Sequence, residues 1–306
     1  MRAVWSFWSK PFHSHRAATW FSPFHHLLAW GLSLRAASQH YPETVLITDQ
    51  AGKKLLVDQL GLPFMHISTE LEQIRDADPD WWALGKILAY SIQDRPFVHL
   101  DTDVFLWKRL PPQVEQAHVF SQCPERIAEI DGNYRPREVE AAFARFQLPL
   151  PVEWEWSRSR NPAALTAENC GIFGGNNVKF LNYCSKMALN LILRPEHAPV
   201  WALANDKRAH TILLEQWFMT TACTDYHRFH PTSPYKGVKI TRLFPNDQSI
   251  PAGTAAQLGY THLFWIAKSH PAVARRLEDR VRREDPEFYR RCVRLCDNSQ
   301  LALSGA

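Results

Sequence analysis

The sequence predicts an α/β fold with a mostly parallel central sheet and helices on both faces. Over the first hundred residues, strand-forming runs alternate with helix-forming runs, the pattern that builds such sheets. Glycine or proline closes most of these runs. The 306 residues, 45% hydrophobic and 22% charged, can bury a sizeable core without disulfides or structural metal.

Residues 2–8 are rich in Val, Trp and Phe and read as a first strand that Lys10-Pro11 ends. From Phe24 to Ser38 the spacing of Leu27, Leu28, Trp30, Leu32 and Leu34 predicts a helix, stopped by Tyr41-Pro42 before a strand over Thr44–Thr48. Residues 51–60 read as a helix capped by Gly61, and Phe64–Ile67 as a third strand. Asp78-Pro79-Asp80 opens a helix over Trp81–Ile92, Arg95-Pro96 breaks it, and Phe97–Leu100 forms a strand running into Asp101-Thr102-Asp103.

Beyond this point the pattern loosens. Residues 124–162 are polar, proline-bearing and tryptophan-rich, with a helix over Arg137–Phe146, and read as an acceptor-side insertion of about 124–165. A strand within Asn169–Asn177 and helices over Val178–Leu193 and Ala209–Cys223 resume the alternation. The expected organisation is one catalytic domain over residues 1–270 and a helical cap or tail over 271–306. That tail holds eight arginines against five acids from Pro271 to Cys296, is split by Pro286, and is expected to be a solvated helical hairpin or cap. Contact of its arginines with an anionic membrane surface stays open as the alternative.

Lys plus Arg exceeds Asp plus Glu by only four, too mild a balance to argue for nucleic acid as a partner. The six cysteines lack Cys-x-x-Cys spacing and are expected as free thiols in a reducing cytoplasm. Polar or basic residues interrupt the first eleven positions before a signal-like apolar core builds up, and no run is long enough to span a bilayer.

Two carboxylates at i and i+2 on a strand share a face about 6.5–7 Å apart, which is unfavourable at a buried strand end unless a cation lies near them. Asp101 and Asp103 therefore suggest an oxygen-ligand site for Mn²⁺ or Mg²⁺. A turn in which both aspartates cap backbone groups is the equal alternative.

The Asp-x-Asp at 101–103, the Asn-x-Gly segment at Asn169-Cys170-Gly171, and His262 six residues before Lys268, in this order, resemble the metal-dependent GT-A glycosyltransferases. The likeness is greatest to the retaining family-8-like and capsular-polysaccharide enzymes, and it spans roughly residues 1–270. The Pro-Trp that usually follows the lysine in that family appears here as Ser269-His270-Pro271. The resemblance implies a Rossmann-like GT-A fold and transfer of one sugar from a nucleotide donor, a UDP-sugar by preference, with retention of configuration. The acceptor, whether glycan, natural product or protein, is left unidentified.

By the same resemblance, Asp101, Asp103 and His262 are the ligands of Mn²⁺ or Mg²⁺, and Lys268 meets the donor diphosphate. Asn169, Gly171, Gly174 and Gly175 lie beneath the donor sugar, where missing side chains admit a ligand to the backbone; a plain tight strand end is the competing reading. Glu215, with Gln216 beside it, takes the acidic or amide place near the reacting carbon; an exposed helix face is the competing reading. Lys86 is aimed at the donor, while Ser6, Trp8 and Asp49 stand at sheet edges where related folds contact base and ribose. Two other readings remain: a haloacid-dehalogenase-like phosphatase with Asp101 as nucleophile, and a non-catalytic protein that binds nucleotide sugars or carbohydrate.

Overall fold

The computed structural model describes residues 1–14, 19–128, 134–162, 164–204, 206–246 and 253–297. Eleven strands are described: β1 (Arg2–Phe7), β2 (Thr44–Thr48), β3 (His66–Ser68), β4 (Phe97–Leu100), β5 (Val104–Leu106), β6 (Val119–Ser121), β7 (Pro124–Ala128), β8 (Ala164–Glu168), β9 (Ile172–Gly175), β10 (Ile240–Arg242) and β11 (Tyr260–His262). Seven of them form one sheet in the order β10-β6-β9-β4-β1-β2-β3. The pairs β1–β2, β2–β3 and β6–β10 are parallel, and β6–β9 is antiparallel. The fold is therefore α/β with a mostly parallel central sheet, as the alternation of elements predicts. Two further antiparallel pairs, β5–β11 and β7–β8, stand outside that sheet.

The chain divides into two compact units. The first comprises Met1–Pro79, His99–Leu110 and the segment from Gly253 onward. Its core is built on the helix Pro23–Ser38. Within it, the buried hydroxyl of Ser33 accepts from Trp5 Nε1 at 3.0 Å and donates to the Val104 carbonyl at 2.8 Å, so one small polar residue ties helix, β1 and β5 together. A buried hydroxyl satisfied on both sides costs little and fixes the register of its neighbours.

The arginine-rich tail forms two helices, Pro271–Glu284 and Pro286–Asp297, that divide at Pro286. Of the two forms expected it takes that of a cap, because Leu277, Val281, Phe288 and Cys292 are buried. The Phe288 ring lies so close to Gly31 that a Cβ there would stand 2.1 Å from the ring. Burying one phenylalanine contributes about 1.5–3 kcal/mol, which gives this tail an apolar anchor on the helix Pro23–Ser38.

The second unit comprises Asp80–Val98 and Pro111–Ala252. The described residues of the stretch read as irregular form the β7–β8 pair and the helices Pro136–Arg145 and Val152–Arg160. Trp154 is buried and packs edge-on against Trp217 at 4.7 Å, a core role. Trp156 is partly exposed and carries the Arg160 guanidinium 4.6 Å from its ring centre.

Several boundaries differ from expectation. The third strand sits at His66–Ser68, because Phe64 is used instead to pack against Trp5 at 5.7 Å. The helix expected over Ala209–Cys223 belongs to a longer helical run from Lys207 to Phe229 that is π-helical over Leu213–Ala222. Strands β6 and β10 have three residues each, too few to impress a period on the sequence.

None of the six cysteines is in a disulfide. Among the described residues, no helix is long and apolar enough to cross a membrane.

Candidate metal centre

β4 carries the chain to Asp101, and the tripeptide Asp101-Thr102-Asp103 then turns rather than extending the strand, with the Val104 amide donating to the Asp101 carbonyl at 3.0 Å. The expectation of two strand carboxylates on one face is corrected accordingly. The turn, not a two-residue strand repeat, gathers the side chains. β5 pairs antiparallel with β11 so that Val104 stands opposite His262, and the Leu263 amide donates to the Asp103 carbonyl at 2.9 Å. This register places the late histidine beside the aspartates. Asp101, Asp103 and His262 each offer a ligand atom, and these atoms lie within 4.8 Å of one another.

His262 Nε2 is 3.3 Å from Asp103 Oδ1, and the Lys268 ammonium is in direct contact with Asp103 Oδ2. Asp103 is almost fully enclosed, with 4% of its side chain exposed. Burial on its own pushes that carboxyl up, but the Lys268 ammonium and the His262 imidazole together outweigh it and hold the group well below the usual carboxylate range. Asp103 is thus an anion at every physiological pH, as a metal ligand must be. Two carboxylates and one imidazole make a donor set suited to Mn²⁺, which accepts nitrogen more readily than Mg²⁺ does.

A surrounding layer orients these groups. His99, buried on β4, places Nδ1 4.0 Å from Asp101 Oδ1, while its Nε2 shares a 2.9 Å hydrogen bond with Ser6 Oγ on β1. Thr102 Oγ1 is 3.4 Å from His26 Nε2, and His26 stacks on Trp20 at 5.2 Å. The Trp20 ring in turn lies 5.9 Å from Lys268 Nζ. Sequence reading passed over His99, although a histidine two positions before the first aspartate is the available signal. His26 and Trp20 carry no such signal, being lost among the aromatic residues of their segment.

The other expected donor residues take structural partners. Ser6 meets the site through His99. Trp8 is buried. Asp49 caps the helix Gln50–Lys53, accepting from the Gly52 amide at 2.7 Å, and its second oxygen accepts from the Ser9 amide and hydroxyl at 2.8 and 2.7 Å. Its carboxylate is therefore committed to holding the end of β1 against the next helix.

In the second unit, Lys86 and Glu215 meet each other. Lys86 Nζ lies 2.8 Å from Glu215 Oε1 and 3.4 Å from the Cys170 carbonyl, and the Tyr90 hydroxyl donates to the same Glu215 oxygen at 3.3 Å. Glu215 is fully buried, so the exposed-face reading is corrected. Gln216 accepts from the Tyr134 hydroxyl, which also lies 3.4 Å from Glu125. Asn169 donates to Glu125 at 2.7 Å and accepts from the Gly171 amide at 3.0 Å.

Gly174 and Gly175 have a packing reason. A Cβ at Gly174 would stand 2.0 Å from the Phe97 carbonyl oxygen, and one at Gly175, whose φ is +152°, would stand 2.1 Å from that of His118. Neighbouring backbone fills the space that their missing side chains leave.

A search of curated proteins finds no match to the chain. The model of DUF6734, a family of unknown function, matches residues 1–295. With nearly its whole length matched, the chain belongs to the DUF6734 family.

Proposed function

We propose that this chain is a metal-dependent glycosyltransferase of GT-A type that moves one sugar from a nucleotide-sugar donor, by preference a UDP-sugar, to an acceptor. One observation carries the reading: a turn after a sheet strand and a distant short strand bring Asp101, Asp103 and His262 within coordinating reach of one another, with Lys268 alongside. A bound Mn²⁺ would neutralise charge on the donor diphosphate as the sugar bond breaks. Asp101, Asp103 and His262 would hold it.

Lys268 supplies a second positive charge for the leaving nucleoside diphosphate. Its present partner is Asp103, and with a cation held at that carboxylate the Lys268 ammonium would be free to pair with phosphate. His99, hydrogen-bonded to Ser6, stands 4.0 Å from Asp101, where it would support that carboxylate once a metal is held. In a retaining transfer, the sugar C1–O bond to the diphosphate breaks, the acceptor oxygen bonds C1 on the same face, and its proton passes to the departing phosphate oxygen. The Lys86–Glu215 pair is fitted to hold a fixed buried charge near the Asn169–Gly171 loop.

The reading places the enzyme in the cytoplasm, where six thiols stay reduced. Incubation with UDP-sugars and Mn²⁺ tests it: release of UDP, with an anomeric proton of unchanged configuration by NMR when transfer occurs, is expected. Turnover of a generic phosphate ester without UDP release would favour the phosphatase reading, and donor binding without release would favour a binding protein.

A further inference from the structure

A second polar site lies wholly within the second unit. A cavity of about 670 Å³ is bounded by Thr166 on β8, by Thr221, Thr224, Asp225 and Arg228 on the helical run that ends at Phe229, and by Arg242 on β10. Its size falls within the roughly 300–1,000 Å³ of small-ligand pockets.

Arg242 is fixed from behind. Its Nε is 3.1 Å from both oxygens of the fully buried Glu168, its Nη2 is 2.6 Å from one of them, and the Ser121 hydroxyl donates to Glu168 at 2.6 Å. That fork leaves Nη1 uncommitted among the described residues. Asp225 and Arg228 form no ion pair with each other or with other described residues, so an acceptor-only plane and a donor-only plane both remain available. Burial pushes the Asp225 carboxyl up against the pull of Arg228 and Arg242, so a hydroxyl donor that reached it would be well placed to repay its lost hydration. The Thr221 and Thr224 hydroxyls are buried without a hydrogen-bond partner, and an unsatisfied pair beside one cavity calls for a reason. Pro124 and Ile240 add apolar wall.

Two arginines face two carboxylates, Glu168 and Asp225, so the pocket has no net charge with which to select an anion. What it offers is planar groups of both hydrogen-bonding senses and an apolar surface. We propose that this cavity binds a neutral, hydroxyl-rich sugar unit of a glycan, its adjacent hydroxyls shared between Asp225 and the two guanidinium groups and its C–H face laid on Pro124 and Ile240. The site stands apart from the reading of the metal centre and does not depend on it.

Saturation-transfer NMR on the full chain, using methyl glycosides of glucose, galactose, mannose and N-acetylglucosamine and their short oligomers, tests this, with inorganic phosphate and glucuronate as anionic comparators. At least one neutral glycoside is expected to bind, at least tenfold more weakly to Arg228→Ala and to Asp225→Asn, and unchanged to Asp103→Ala. Arg228 is exposed and Asp225→Asn conserves shape, and a thermal melt checks that both variants fold. Absence of binding by every neutral glycoside, preference for phosphate or glucuronate, or binding that survives both pocket substitutions would overturn the proposal.

Discussion

His262 Nε2 stands 3.3 Å from Asp103 Oδ1 because β11 pairs with β5 in the register that sets His262 opposite Val104. One backbone pairing thus converts two remote motifs into one ligand set. Substituting His262 by Ala removes the nitrogen ligand but leaves the pairing intact. Metal-dependent UDP release is expected to fall by about 100-fold, with the melting temperature nearly unchanged. A steady-state assay at fixed Mn²⁺ checks it.

Lys268 neutralises a carboxylate that is almost fully enclosed. Without it, Asp103 keeps its burial and loses its main counter-charge, so Lys268→Met is expected to cost about 3 kcal/mol of metal-free stability. Mn²⁺ should restore part of that loss by supplying the missing positive charge. Urea unfolding with and without Mn²⁺ measures both effects.

The pH dependence of metal-free stability follows from the same group. The folded pKa of Asp103 is lowered, so the unfolded chain binds the proton more readily. Its contribution is therefore complete above the unfolded carboxylate value of about 4 and declines as pH falls below it. Asp103→Asn should flatten the acid limb of a stability profile between about pH 2 and 5. An unchanged limb would mean that other carboxylates set it.

Glu215 is fully buried and bound to Lys86 at 2.8 Å. Lys86→Met strands that carboxylate and is expected to cost about 3–5 kcal/mol, whereas Lys86→Met combined with Glu215→Leu should regain much of the loss. Chemical denaturation of the two variants decides how strongly the charges are coupled. A single variant as stable as the native chain would show that the pair contributes nothing.

Much of the sheet was legible because β1, β2 and β4 are apolar runs closed by proline or followed by polar turns, and Thr44–Thr48 and Phe97–Leu100 fall where the pattern puts them. The three-residue strands β6 and β10 left no trace. The segment Val152–Arg160 was hidden because the helix follows Pro151 and buries only Glu153, Trp154 and Ser157, which gives no helical stripe in the sequence. In the site, the resemblance grouped the two aspartates, the histidine and the lysine, and the structure brings these four side chains together. Their geometry was not legible in the sequence, since it depends on a turn at Asp101–Asp103 and on β-pairing across the chain. The partners of Asp49 and the backbone contacts of Gly174 were equally out of reach, because a capping aspartate and a packing glycine look like ligand-binding residues when only their spacing is known.

The most direct measurement is electron paramagnetic resonance titration of the metal-free chain with Mn²⁺, alone and with UDP, on the native protein and on Asp103→Ala. The account predicts one tightly held Mn²⁺ per native chain, held more tightly with UDP, and no such binding by the variant. Unbound Mn²⁺ at every native protein concentration, or equal binding by Asp103→Ala, would contradict it.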